Sequence, residues 1–238
     1  MSEQNIRLYI CFEARCGSGF LLNKLNYQKG VHVEDEWMMF NRRKGVGSHS
    51  QASHVEKFFA SQANSKDGCV RGFICKVSDI TDPTAFLAAI RNADVKILDL
   101  RRRNICKQAL SNIRAVDARE KTGKAHAYSK SEVFGASRVD PVRFWGAVRG
   151  FEQRLEGQDR FVRQANLPTI QVYYEDLVAD SSVFNALLSF LEVDPSSAVQ
   201  PRDRTLKQTA NRFADAVENF HEIAETAPSP YHKRLLEY

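Results

Sequence analysis

The sequence predicts an α/β fold, a single domain with a central parallel β-sheet flanked by helices, and three observations carry that prediction. Short apolar, β-prone runs stand at Leu8 to Phe12, Gly72 to Val77, Val95 to Leu100 and Ile170 to Tyr174. Between them lie stretches whose apolar residues recur at helical spacing, and this alternation marks a parallel sheet with right-handed crossovers and ligands at the strand C-termini. The length of 238 residues and hydrophobic content of 43% suit one such core over residues 1 to 238.

The first strand and helix take residues 6 to 26, and their sequence from Ile6 to Leu25 is I-R-L-Y-I-C-F-E-A-R-C-G-S-G-F-L-L-N-K-L. Leu21, Leu22 and Leu25 repeat at helical spacing after a glycine turn. Such a turn aims backbone N–H groups and the positive end of a helix dipole at an anion, with Arg15 adding a full charge and Ser18 a hydroxyl. It lacks a G-K-[ST] ending and so is not the P-loop of a nucleotide triphosphatase. Val31 to Phe40 runs toward the next element. Residues 41 to 53, N-R-R-K-G-V-G-S-H-S-Q-A-S, read as a mobile loop that can serve as a lid. A short helix is expected around His54 to Gln62, and T-D-P-T opens another from Ala85 to Arg91.

After the strand ending at Leu100 come Arg101, Arg102 and Arg103, then Asn104 as an N-cap to a helical pattern reaching Val116. Ile105, Ala109, Ile113 and Val116 make its apolar face, leaving Asn104, Lys107 and Ser111 on the opposite side. Two strand-to-helix turns rich in arginine, serine and glycine suit two separate phosphate groups of one ligand. Residues 117 to 140 read as irregular, Pro141 to Leu155 as helix, and Ser182 to Leu191 and Arg212 to Glu225 as the last helices. Phe144, Trp145, Phe151 and Phe161 have the spacing of core residues.

A net charge of +5 favours an anionic ligand, but the basic residues gather in short loops rather than in a stripe, so nucleic acid is not the expected partner. The five cysteines show no C-x-x-C spacing and mostly sit in or beside apolar runs, as reduced buried thiols do in a cytosolic protein. No targeting segment and no apolar run of transmembrane length is evident, so a cytoplasmic location is expected. No residues stand at metal-ligand spacing. Nothing sets the oligomeric state, and a homodimer is left open.

With these pieces in order, the chain resembles the sulfotransferases that depend on 3′-phosphoadenosine-5′-phosphosulfate, which have a P-loop-NTPase-like fold. It looks most like the bacterial branch of trehalose 2-sulfotransferases and nodulation-type carbohydrate sulfotransferases. That branch carries R-S-G-S-T in its first loop, here Arg15, Cys16, Gly17, Ser18 and Gly19. The family's second element is an Arg with a Ser eight residues on, matched by Arg103 and Ser111. V-R-G-F-I-C-K (Val70 to Lys76) resembles the strand entering the site, and V-Y-Y-E-D-L (Val172 to Leu177) a later family segment.

The resemblance implies that Arg15 to Phe20 hold the 5′-phosphosulfate, that Arg103 and Ser111 hold the 3′-phosphate, and that Lys207 in R-T-L-K-Q-T touches the donor. The product would be adenosine 3′,5′-bisphosphate (PAP). The acceptor would be a hydroxyl-bearing small molecule or carbohydrate, including a glycolipid, reached through loops at about 41 to 65 and 117 to 140. Sulfuryl transfer needs an in-line hydroxyl, a base for its proton, and positive charge on the transferring oxygens. Arg15 leads for the charge, with Lys76 at its strand end as a second cation. The bacterial branch places a glutamate before an aromatic soon after the first helix, which here is Glu36 before Trp37; Glu34 and His32 are the alternative bases. His126 is a candidate acceptor contact. Glu175 and Asp176, between a strand and an apolar helix, read as a helix cap. Gly19 and Cys16 stand where the family carries hydroxyl residues, which keeps a non-catalytic nucleotide-binding relative open beside a small-molecule or nucleotide kinase.

Overall fold

β1 (Ile6–Phe12), β2 (Val31–Glu34), β3 (Val70–Lys76), β4 (Lys96–Arg101) and β5 (Thr169–Tyr173) form one all-parallel sheet in the order β2-β3-β1-β4-β5. The structure, a computed structural model, describes residues 5–35, 51–60, 70–123, 135–197, 199 and 212–236. The helices are α1 (Ser18–Asn26), α2 (Gln51–Ala60), α3 (Pro83–Asn92), α4 (Ile105–Thr122), α5 (Pro141–Ala165), α6 (Tyr174–Ala179), α7 (Ser181–Phe190), α8 (Phe213–Ala216), α9 (Phe220–Glu225) and α10 (His232–Leu236). The chain divides into two compact units, Met1–Arg101 with Arg154–Pro201 and Arg102–Gln153 with Arg202–Tyr238.

The first unit contains the whole sheet, and the period-2 alternation of β1 sorts its core into two faces. Ile6, Leu8, Ile10 and Phe12 pack with Leu21 and Leu25 of α1 and with Phe184, Leu187 and Leu188 of α7. Tyr9 and Cys11 point the other way, toward Val55 and Phe58 of α2, Phe86 and Ile90 of α3, and Phe161 of α5. From β1 the chain goes outward to β2, returns to β3, then crosses to β4 and β5 on the other side. The C-terminal end of β1 is therefore the switch point, where an open parallel sheet presents a crevice.

In the second unit α4 is capped by Asn104, whose side chain accepts from the Lys107 amide at 2.9 Å while its Nδ2 donates to the Arg234 carbonyl at 2.6 Å. Rings of Phe144 and Phe213 lie 5.3 Å apart, and those of Trp145 and Tyr231 5.5 Å apart. Arg114 is buried and donates to the carbonyls of Gly135 at 2.8 Å and Ala216 at 2.5 Å, and burial lowers its pKa.

Several boundaries differ from expectation. Val31 to Glu34 pairs with β3 and makes a fifth strand, because Val31 and Val33 bury one side while β3 supplies the hydrogen bonds. Gln51, Ala52 and Ser53 belong to α2, where Gln51 accepts from Thr81 and donates to the Asp79 carbonyl. α4 continues through Thr122, so residues 117 to 122 are helical, and Gly123 in the left-handed conformation ends it. α5 runs ten residues beyond Leu155. The helix expected over Arg212 to Glu225 is broken, because Val217 bridges to Ser137 and the Asn219 amide exchanges two hydrogen bonds with the Val139 backbone, each 2.9 Å. Val116, expected in the apolar face, is 40% exposed, whereas the polar Lys107 and Ser111 are buried. Among the described residues, no helix is long and apolar enough to cross a membrane.

Candidate active site

In the first unit, β1 delivers the chain to the turn 13–17, where Glu13, Arg15, Cys16 and Gly17 differ in burial and backbone conformation. Glu13 continues the parity of Tyr9 and Cys11 and is 1% exposed. Its carboxylate accepts from the Ser78 amide at 3.3 Å and hydroxyl at 3.2 Å, and Arg154 Nε lies 3.4 Å away. Burial pushes its pKa up, against the opposing pull of Arg154, Ser78 and Lys76. Arg15 holds a left-handed backbone, φ +65°, which L-residues adopt at a cost of about 1–2 kcal/mol. Such strain is characteristic of functional turns.

Cys16 is fully buried in the core face shared with α1. Gly17 is the N-cap of α1 at φ +93° and makes no side-chain cap bond. A Cβ there would come within 2.2 Å of the Tyr174 ring, so glycine is required twice over, by backbone and by space. Tyr174 thus braces the turn from β5 and α6, and its ring meets Phe20 edge-on at 5.9 Å. The Ser18, Gly19 and Phe20 amides form the first helical turn, which has no intrahelical acceptors and carries the positive dipole end. A Cβ at Gly19 would meet nothing within 4 Å. Its glycine is not a packing requirement.

Other cations surround this turn. Lys76 ends β3 in register with Phe12, its Nζ 3.5 Å from Asp79 and 5.5 Å from the Phe12 ring centroid. Lys24 of α1 is buried, with its Nζ 5.4 Å from the Phe20 ring and 4.6 Å from the Phe184 ring. Arg101 is committed elsewhere. It donates to Asp99 at 2.7 and 2.9 Å and to Asp159 at 2.5 Å; burial opposes its charge, but these carboxylates hold its pKa above the usual value. Asp99, 1% exposed, also accepts from Gln158 at 2.5 Å and Gln171 at 2.9 Å, a network that fixes β4 to β5 and α5.

Of the sequence candidates, Arg15, Cys16, Gly17, Ser18, Gly19, Phe20 and Lys76 all lie in the first unit, at or beside the turn. Glu34 pairs with Phe73 and His32 with Arg71. These positions are three and five residues before Lys76, about 10 and 16 Å along the strand from the level where β1 ends. Arg103 and Ser111 lie in the second unit, Arg103 exposed just before the Asn104 cap and Ser111 buried on α4. Glu36, Trp37, His126 and Lys207 fall outside the described residues. Glu175 and Asp176 occupy the first turn of α6, where negative charge complements the dipole. Sequence reasoning missed Glu13, Ser78, Arg154 and the role of Tyr174. The strand parity that places Tyr9 and Cys11 also places Glu13, so that acid was legible; the reach of Arg154 from α5 was not. No group of three or more metal-ligating side chains occurs among the described residues.

No protein-family model and no curated protein matches the sequence. Among solved structures, the fold is similar to that of a sulfotransferase from Alicyclobacillus acidocaldarius, with a TM-score of 0.51 and 16% identity over 97% of this chain and 94% of that one. A mouse sulfotransferase complexed with PAP is matched with a TM-score of 0.44 and 11% identity over 97% of this chain and 70% of that one. At 16% identity, what this chain shares with the Alicyclobacillus protein is the fold.

Proposed function

We propose that this chain is a sulfotransferase that moves a sulfuryl group from 3′-phosphoadenosine-5′-phosphosulfate to a hydroxyl of an acceptor, with carbohydrates and glycolipids the leading class. The observation that carries this reading is the turn at the end of β1, where a strained Arg15 and a left-handed Gly17, braced by Tyr174, open α1 beside Lys76. This cradle fits a sulfonate or phosphate group. Its donors are backbone amides and a guanidinium, and its floor leaves no room for a Cβ.

The donor supplies an activated sulfuryl group; the chain supplies binding, orientation and charge. In this reading the Ser18 to Phe20 amides, the Ser18 hydroxyl and Arg15 hold the 5′-phosphosulfate, and Lys76 adds positive charge where the bridging oxygen gains negative charge. Arg103 and Ser111 are assigned the 3′-phosphate and Lys207 a further donor contact, on the strength of the sequence resemblance. Glu36 is assigned the acceptor proton. That assignment too rests on the sequence resemblance, and Glu34 and His32 of β2 remain the alternative bases. A cytoplasmic setting belongs to the same reading, in keeping with the burial of the Cys11, Cys16, Cys75 and Cys106 side chains.

One observation favours a second reading, a nucleotide-binding relative without turnover. Gly19 leaves open space where a hydroxyl would add a hydrogen bond to the anion. Titration calorimetry with adenosine 3′,5′-bisphosphate against 5′-AMP, ADP and ATP-magnesium tests the proposal. Micromolar binding of the bisphosphate, about 8 kcal/mol, with little for the others is expected. Preference for ATP-magnesium, or no binding at all, overturns it, and binding without turnover on a broad acceptor panel selects the second reading.

A further inference from the structure

One charged group beside the cradle has no place in the chemistry above: the carboxylate of Glu13, 1% exposed at the root of the loop. Burying an ionised carboxylate costs several kcal/mol unless partners compensate, and a glutamine of the same shape would avoid most of that cost. Three elements converge on it. β1 places it, the turn after β3 gives two hydrogen bonds through Ser78, and α5 gives the guanidinium of Arg154. The parity of β1 turns this side chain toward the face of α2, α3 and α5, while α1 packs on the face of Ile10 and Phe12. The carboxylate therefore points away from the helix whose amides would meet an anion.

We propose that Glu13 is a positioning residue for anion binding: its ionised carboxylate ties Arg154 and the Ser78 turn to the root of the 14–19 loop, and so sets Arg15 and Lys76 about the ligand. The inference rests on the reading of that loop as the donor cradle. Lys76 is two residues from Ser78 and in register with Phe12, the residue before Glu13, so a shift of the Ser78 turn moves the β3 cation and the loop together. The charged and titratable groups around Glu13 are Arg154 from α5, Lys76 with Asp79 at the end of β3, Tyr9 and Cys11 on its own strand, and Asp99 of β4 beside Cys11. Burial disfavours the charged form and shifts the Glu13 pKa upward, against Arg154, Ser78 and Lys76. Protonation would release Arg154 and loosen the cradle.

The probe is adenosine 5′-phosphosulfate, which bears no 3′-phosphate and keeps a constant charge between about pH 5 and pH 8, so its own titration does not enter. Its affinity for the wild-type chain should weaken about tenfold as pH falls across that range, a coupling of the size found for groups joined in one hydrogen-bond and ion-pair network. Glu13→Gln should hold the weak value at every pH, with an unfolding temperature equal to or above the wild type at pH 8. Arg154→Gln should show the same loss, and the double variant no further loss. A flat wild-type profile sinks the inference without recourse to any variant, so a Glu13→Gln chain that fails to fold does not protect it. Wild-type affinity in Glu13→Gln at pH 8, or a lower unfolding temperature with an unchanged pH profile, also overturns it by marking a structural role. If neither this probe nor the bisphosphate binds at any pH, the cradle reading itself falls, and the Glu13 inference with it.

Discussion

Arg15 and Gly17 both hold left-handed backbones, but for different reasons. At Gly17 the conformation is free of strain and the Tyr174 ring fills the space a side chain would need. At Arg15 the guanidinium is carried at the expense of the backbone. Arg15→Gly should therefore leave the unfolding temperature unchanged or raise it by up to about 3 °C, while bisphosphate affinity falls by about tenfold or more with the charge-assisted bond; parallel thermal and calorimetric measurements would expose any simple correlation between the two. Gly19 behaves oppositely. Its open surroundings predict that Gly19→Ser is accommodated, gains about 0.5 kcal/mol of helix propensity, and tightens bisphosphate binding severalfold by titration. Cys16, by contrast, is fully buried in the core cluster that includes Leu21 and Leu25 of α1.

Among the elements, those with strong local patterns lie where periodicity places them. β1 and α1 cover 6 to 26 with the turn between them, and Asp82 and Asn104 cap α3 and α4 through their side chains. Two of the departures from expectation were decided by partners distant in sequence. The four residues of β2 become a strand because β3 accepts them, and α8 and α9 separate because the Asn219 amide substitutes for backbone pairing with Val139. Asn219 is 1% exposed, so Asn219→Ala leaves a buried N–H and a buried carbonyl without their partner. A loss of about 2–3 kcal/mol is expected, seen as an unfolding temperature lower by about 4–10 °C with the far-ultraviolet helix signal retained before the transition.

Over the whole molecule, pH acts through a few carboxylates. Glu13 is raised above the ordinary glutamate value of 4.5 by burial. The folded chain thus prefers it protonated, and the stability linked to that preference is fully present below pH 4.5 and is lost as pH rises through the folded value. Asp180 and Asp194, both exposed, and the half-buried Glu222 are lowered by hydrogen bonds from Ser182, Ser196 and Asn219, so their small contributions are present above the unfolded values and fade as pH falls through the folded ones. The stability gap between Glu13→Gln and wild type should accordingly be near zero at pH 4 and widen toward pH 8. A gap constant with pH in chemical denaturation would contradict the assignment of the raised value to Glu13.

The α/β class, the parallel sheet, the strand-turn-helix at Ile6 to Asn26 and most of the core were determined by the sequence alone, because hydrophobic period, glycine conformation and capping chemistry are local properties. The same local logic singled out Arg15, Gly17 and Ser18. Only the tertiary structure decided that Tyr174 braces Gly17, that Arg101 is spent on Asp99 and Asp159, that Cys16 faces the core, and that Arg154 reaches Glu13. Each of those facts joins residues far apart along the chain, and the free energy of such a contact depends on burial and on which groups arrive beside it, neither of which a local pattern encodes.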